Sequence, residues 1–233
     1  MIEIRKLTEP DEFRAAVALQ KLTWGFADIE LIPVRVFVTA SHVGGQVMGA
    51  FDGDRMVGFC LSIPGVRQGA RGYLHSHMLA VLEEYRNAGV GRSLKLAQRD
   101  DALERGIELM EWTFDPFEIK NGYFNLERLG AVVTRFVPNM YGATSSPLHG
   151  GLPTDRCVVQ WWMASERVQR ALGGERAQRP VSVRVAVPNA RTAESQRQLS
   201  GALREHLHKG LAVTGFERTA EGGSYLLGPW ESK

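Results

Sequence analysis

The stretch from Tyr73 to Gly106 constrains this chain more than any other. Residues 73–82 are apolar and short enough for a buried strand. Residues 92–106 set Leu94, Ala97, Ala102 and Leu103 near a helical period, and Gly106 supplies a stop. Between the two runs Arg86-Asn87-Ala88-Gly89-Val90-Gly91-Arg92. Glycines here allow a sharp turn and let a ligand approach main-chain N–H groups. The helix that follows aims its positive dipole end and its unpaired N–H groups at that ligand. Strand, glycine loop and helix in this order predict a phosphate-binding junction.

Two phosphate-binding devices have this layout. A dinucleotide fingerprint needs a third glycine at position 94, where the chain has Leu94. The spacing Arg86-x-x-Gly89-x-Gly91 instead resembles the pyrophosphate loop of the GNAT acyl-CoA N-acyltransferases. A glycine-rich turn that binds nothing is the plain alternative. Further segments carry the same resemblance, in order: Leu74-His-Ser-His-Met78, Trp112-Thr-Phe-Asp-Pro116, Asn125-Leu-Glu-Arg-Leu-Gly130, Asn139-Met-Tyr-Gly142 and Gly151-Leu-Pro-Thr-Asp-Arg156. Together they look like a GNAT subgroup with a C-terminal extension.

Length and composition fit that reading. A chain of 233 residues can bury a full core, and 44% hydrophobic with 23% charged residues is ordinary for a globular protein. A net charge of +2 is too small to argue for nucleic acid or a membrane surface, and neither is expected as a partner. Cys60 and Cys157 sit in apolar runs, which predicts reduced thiols and a cytoplasmic protein. The N-terminus has no apolar signal core, and no uninterrupted apolar run is long enough for a membrane span.

Taken in order, Ile2, Ile4 and Leu7 alternate with charge and predict a strand. Pro10 opens a helix that carries Phe13, Val17 and Leu22 and ends at Trp24-Gly25. A second helix spans 33–42, before Gly44-Gly45. Strands at 46–51 and 56–62 flank the turn Asp52-Gly-Asp-Arg55. After the central stretch come a strand at 107–114, a helix at 117–129 ended by Gly130, and strands at 131–137 and 155–163. This β-α-α-β-β-β-α-β-α-β-β order matches the GNAT arrangement. The resemblance therefore implies a mixed α/β (α+β) fold, with a mostly antiparallel sheet flanked by helices over residues 1–165.

Residues 166–233 form the addition. Arg167, Arg170, Arg176, Arg179 and Arg184 make 165–184 basic; without interleaved aromatics it reads as a solvated linker or helix face. A strand at 181–187, a helix at 192–209 and strands at 212–216 and 224–227 around Glu221-Gly-Gly223 complete a β-α-β-β unit. It is too small to stand alone, so it should dock on the core.

The resemblance implies acyl-CoA as cosubstrate, acetyl-CoA by default and a larger acyl group such as succinyl as an alternative, and no metal. Residues 86–92 would hold the pyrophosphate. Main-chain N–H groups at a bulge near Leu79, Ala80 and Val81 would meet the thioester carbonyl, and Asn121 and Asn125 would contact the cosubstrate. For the base, His75 and His77 share one face of their strand and titrate near neutrality. His75 lies eleven residues before Arg86, where the family often has a carboxylate. A histidine hydrogen-bonded inside the core is the competing reading, and a His75-x-His77 metal site lacks a third ligand by spacing. The family's helix tyrosine falls at Leu126, so Tyr141 or Tyr123 would have to serve as the acid, or solvent would. Asp115, Asp155 and Arg156 lie at strand ends, where Arg156 could clamp a carboxylate or simply pair with a neighbouring acid. Trp112 could wall an apolar acceptor pocket or pack the core. The acceptor expected is a small, amino-acid-like amine; a homodimer stays open, as does a non-catalytic acyl-CoA-binding module.

Overall fold

Four strands build an antiparallel meander at the start of the chain. β1 (Ile2–Lys6), β2 (Gln46–Asp52), β3 (Arg55–Val66) and β4 (Gly72–Val81) pair in that order. β1 and β4 alternate in burial, whereas β2 and most of β3 are buried on both faces. The computed structural model describes residues 1–67, 72–175, 179–219 and 222–231, so most of the expected 67–72 loop, with Arg176 and Glu221, lies outside the described residues. The chain forms two compact units, residues 1–110 with 144–151 and residues 111–143 with 152–233.

In the first unit, α1 (Pro10–Trp24) starts on a capping box made by Glu9 and Glu12 and stops at Gly25 in the left-handed conformation. α2 (Val34–His42) and α1 pack over β2 and β3, and α3 (Val90–Glu104) packs on β1, β2, β3 and β4. Phe13, Phe37, Phe59 and Leu61 are buried in the core between them. On α3 the buried face is Val90, Leu94, Lys95, Gln98 and Ala102. That differs from the expected stripe, because Ala97 and Leu103 are only half-buried and two polar residues go inward.

The second unit orders its strands β5-β7-β6-β9-β10-β8. These are β5 (Leu109–Phe114), β6 (Val132–Val137), β7 (Arg156–Trp162), β8 (Val183–Val187), β9 (Leu211–Thr219) and β10 (Gly222–Pro229). The helix expected at 117–129 is shorter: α4 (Ile119–Tyr123) runs into a π-helical turn, Phe124–Arg128. The segment expected to be a solvated linker or helix face holds α5 (Glu166–Leu172), capped by Ser165. α6 (Ala193–His208) starts on the Thr192 capping box.

The C-terminal strands extend the second unit's sheet. β9 pairs antiparallel with β6 at Val133 and Val213, and α6 packs on β6 and β9. Tyr225 is fully buried, edge-on to Phe216, and donates to the Pro116 carbonyl at 2.6 Å. Among the described residues no helix is long and apolar enough to cross a membrane.

Candidate functional site

β4, the loop after it and α3 make the first group of candidates. Arg86, Asn87, Ala88 and Gly89 are exposed. Asn87 has φ +64°, which few residues other than glycine adopt, and Arg86 Nε donates to the Val81 carbonyl at 3.2 Å. Gly89 caps α3 at φ +86° and brings no side chain to its N–H groups. The first turn of α3 also carries no acid. α1 and α6, by contrast, each satisfy their first turn with a capping box. α3 is therefore a long helix with no side-chain cap at its N-cap residue, and its N-terminal dipole favours an anion there. Val90 is buried, Gly91 packs near Leu79 and Val81, and Arg92 is half-buried, so the loop rests on the end of β4.

The bulge is not where the resemblance put it. Leu79, Ala80 and Val81 pair in register with Cys60, Phe59 and Gly58. The register shifts upstream, where Leu61 faces Met78 and Ser62 faces Ser76, which makes His77 the extra residue. His75 and His77 are both half-buried, with ring centroids 6.0 Å apart. Burial lowers the pKa of His77, which keeps that imidazole neutral at pH 7. On the other face of β4, Lys95 reaches Ser76 at 2.7 Å. Burial lowers its ammonium to about 7, against a smaller opposing pull from Cys60. No sequence signal singled out Lys95, because a lysine inside an amphipathic helix reads as solvent-facing.

The remaining candidates lie in the second unit, and most are occupied. Asp115 is buried; its carboxylate meets Arg191 Nη1 at 2.9 Å and Arg156 Nη1 at 3.5 Å, and it accepts the Phe117 N–H. Arg156 also donates to the Asp155 carbonyl and lies 5.3 Å from the centre of the Tyr141 ring. Desolvation is the main influence on Arg156 and lowers its pKa, with Asp115 opposing. Sequence reasoning missed Arg191, which stands in the loop between β8 and α6 and stacks on Phe117.

Asp155 accepts from the Asn139 N–H, Gln196 and Ser200, so it fastens α6 and is not an open substrate ligand. Trp112 donates to Asn125 Oδ1 at 3.3 Å and meets Trp161 edge-on. Both Trp112 and Asn125 are buried, so the structure uses this pair in the core. Asn121 is exposed. Tyr141 is 46% exposed, with its hydroxyl 3.0 Å from Thr113 Oγ1. Tyr123 lies under the Arg218 guanidinium, and Leu126 is buried. Among the described residues no three His, Cys, Asp or Glu side chains cluster as for a metal.

Residues 10–124 match a family model described as Acetyltransferase (GNAT) family. The chain is similar in fold to the ribosomal-protein-S18-alanine N-acetyltransferase of Escherichia coli, at 18% identity and a TM-score of 0.54, over 71% of this chain and 97% of that one. It is similar to yncA of Salmonella typhimurium, solved with its cofactor acetyl-CoA, at 15% identity and a TM-score of 0.57, over 71% and 95%. It is also similar to Arabidopsis thaliana Naa50 in complex with the bisubstrate analogue CoA-Ac-MVNAL, at 15% and 0.53, over 68% and 97%. No curated protein matches the sequence.

Proposed function

The chain belongs to the GNAT superfamily of acyl-CoA N-acyltransferases, and on that premise we propose that it transfers an acyl group, acetyl by default, from acyl-CoA to a primary amine of a small, amino-acid-like acceptor. The observation that carries the donor half is the uncapped first turn of α3 behind Gly89. N–H groups of residues 87–92 take the pyrophosphate, and the dipole of α3 favours its charge. The acceptor nitrogen attacks the thioester carbon, a main-chain N–H of β4 meets the developing oxyanion, and the C–S bond breaks. His75 takes the amine's proton, directly or through one water. Tyr141 or solvent protonates the leaving thiolate. The products are an amide and free CoA.

Of the proteins named above, one is described as acting on a ribosomal-protein alanine and another carries a bisubstrate peptide analogue. A carboxylate-bearing small amine is proposed here because the guanidinium of Arg156, 5.3 Å from the centre of the Tyr141 ring, has the planar fork that pairs with a carboxylate. Residues 166–233 are proposed as an extension of the acyltransferase domain. The test is free-thiol release from acetyl-CoA and succinyl-CoA, with amino acids, other small amines and N-terminal peptides as acceptors. Release with amino acids supports the reading. Release with peptides or protein lysines alone overturns the acceptor, and CoA binding without release by any acceptor would make the protein a binding module.

A further inference from the structure

Behind the two histidines lies a buried chain of hydrogen bonds with one direction. Lys95 Nζ donates to Ser76 Oγ at 2.7 Å, and Ser76 Oγ donates to Gln98 Oε1 at 3.2 Å. Gln98 Nε2 donates to Ser62 Oγ at 2.6 Å, and Ser62 Oγ donates to Gln46 Oε1 at 2.9 Å. Gln46 Nε2 ends the chain on Asp101 Oδ2 at 2.8 Å and on the Gln98 carbonyl at 2.7 Å. Ser62 and Gln98 are fully buried, and Gln46, Ser76 and Lys95 are no more than 5% exposed. Every donor points from the amine toward the carboxylate, so each bond polarises the next in the same sense.

The place of this chain is specific. Ser62 and Ser76 face each other beside the register shift, and the next β4 residue, His77, is the one without a partner. A bulge between small polar residues is weakly fixed by packing, and a slip by one residue would turn every side chain of β4 over. Gln98 bridges the two serine hydroxyls from α3, one with each end of its amide, and Lys95 holds Ser76 from the same helix. After a slip, an imidazole would face Lys95 and Gln98, and the serine hydroxyls would leave their partners. The chain therefore makes one register of β4 strongly preferred.

We propose that Lys95 and Gln98 are positioning residues, which fix the β4 bulge through Ser76 and Ser62 and so aim His75 and His77 from the opposite face. The catalytic part of this inference rests on the acyltransferase reading; the structural part does not. The test uses the full chain, labelled for NMR, as wild type, Lys95→Met, Ser76→Ala, the double variant and Ser76→Thr. Imidazole signals of His75 and His77 are assigned with His→Gln variants.

In Lys95→Met and in Ser76→Ala, the amide and imidazole signals of residues 75–78 should move or split while those of β1 and of residues 86–89 stay in place. CoA affinity should hold within about twofold, and kcat for thiol release should fall about 10- to 100-fold, the scale expected for a displaced catalytic group. The double variant should be no worse than the worse single, since both cut one joint. Ser76→Thr, which restores the hydroxyl, should bring signals and kcat back. Should Lys95→Met fail to fold, Ser76→Ala and Ser76→Thr decide alone. Unmoved signals at 75–78 in folded variants overturn the proposal, as does a disturbance spread evenly over the chain. If wild type releases no thiol, the signals still decide this inference, and only the acyltransferase reading falls.

Discussion

Gly89 is where the donor half of the proposal is most exposed to refutation. Its φ of +86° and ψ of −5° put it in the left-handed region. Its own chain neighbours aside, no heavy atom of the described residues lies within 4 Å of the position a Cβ would take. A Cβ there meets open space, and the cost of valine is taken as backbone strain of about 2 kcal/mol. That lowers Tm by roughly 4–8 °C in a chain of this size and leaves the fold standing. The open space matters only to a ligand. If the added side chain displaces two charge-assisted N–H contacts to a pyrophosphate at ~1.5 kcal/mol each, CoA binding weakens by ~3 kcal/mol, about a hundredfold in Kd. Gly89→Asn separates strain from blockage, because asparagine tolerates this backbone region, as Asn87 already does at φ +64°. Calorimetric titration of CoA into both variants should show the same large loss. A folded Gly89→Val protein with wild-type affinity would refute the loop assignment, and loss in Val with none in Asn would assign the effect to strain.

Three further outcomes are expected. His75→Ala should cut thiol release by about 10² to 10⁴ with CoA affinity unchanged, and His77→Ala should cost less; near-full activity of His75→Ala from pH 6 to 9 would end that assignment. Arg179→Ala leaves Glu127 without its guanidinium at a site where both side chains are at most 12% exposed, so chemical denaturation should show a loss of about 3–5 kcal/mol. Glu127→Gln added to it should recover part, and a loss under 1 kcal/mol would show the pair to be idle. For Lys95, burial lowers the pKa from 10.5 to about 7, so between those values the unfolded chain holds a proton that the folded chain lacks, and stability rises with pH by at most ~1.4 kcal/mol per unit. Cys60, raised by burial from 9.0 to about 12, acts the opposite way above pH 9, so the rise should show between pH 7 and 9 in urea midpoints and flatten in Lys95→Met; a flat wild-type profile would contradict it.

The fold was legible because its stops are local chemistry. Helices α1 and α3 end where Gly25 and Gly106 adopt positive φ, and the β2–β3 turn has Gly53 there too. A glycine that frees the backbone needs no distant partner, so periodicity and glycine together placed most elements within a few residues. The π-helical turn at Phe124–Arg128 left no such mark. Nor did the bulge, since which β4 residue is skipped depends on what Ser62 and Ser76 meet across the ladder. The loop at 86–92 was readable for the same reason as the turns. The reading of Asp115, Asp155, Arg156, Trp112 and Asn125 as ligand-facing was not secure, because their partners come from Arg191, Gln196, Ser200 and each other.

Charge is where a single sequence misleads most, and residues 165–184 show why. Long cationic residues belong in water by default, and a run of arginines reads as a solvated face. Here Arg167 donates to the Gly130 and Thr214 carbonyls, and burial brings its pKa down to about 10. Arg179 donates to the same Thr214 carbonyl and to Glu127, and Glu127 accepts the Phe216 N–H as well. One buried carboxylate and two guanidinium groups thus tie the end of the π-helical turn, the segment after β7 and strand β9 into one knot. A guanidinium suits that task because its planar fork donates in several directions from one rigid group and never deprotonates at physiological pH. Each partner lies far away in sequence, so no window of local pattern contains the reason for the arginines. The same knot argues that residues 166–233 are built into the second unit's sheet, since cutting them away would remove the Arg179 and Phe216 partners of Glu127 and bare the apolar edge of β6 where Val133 pairs with Val213.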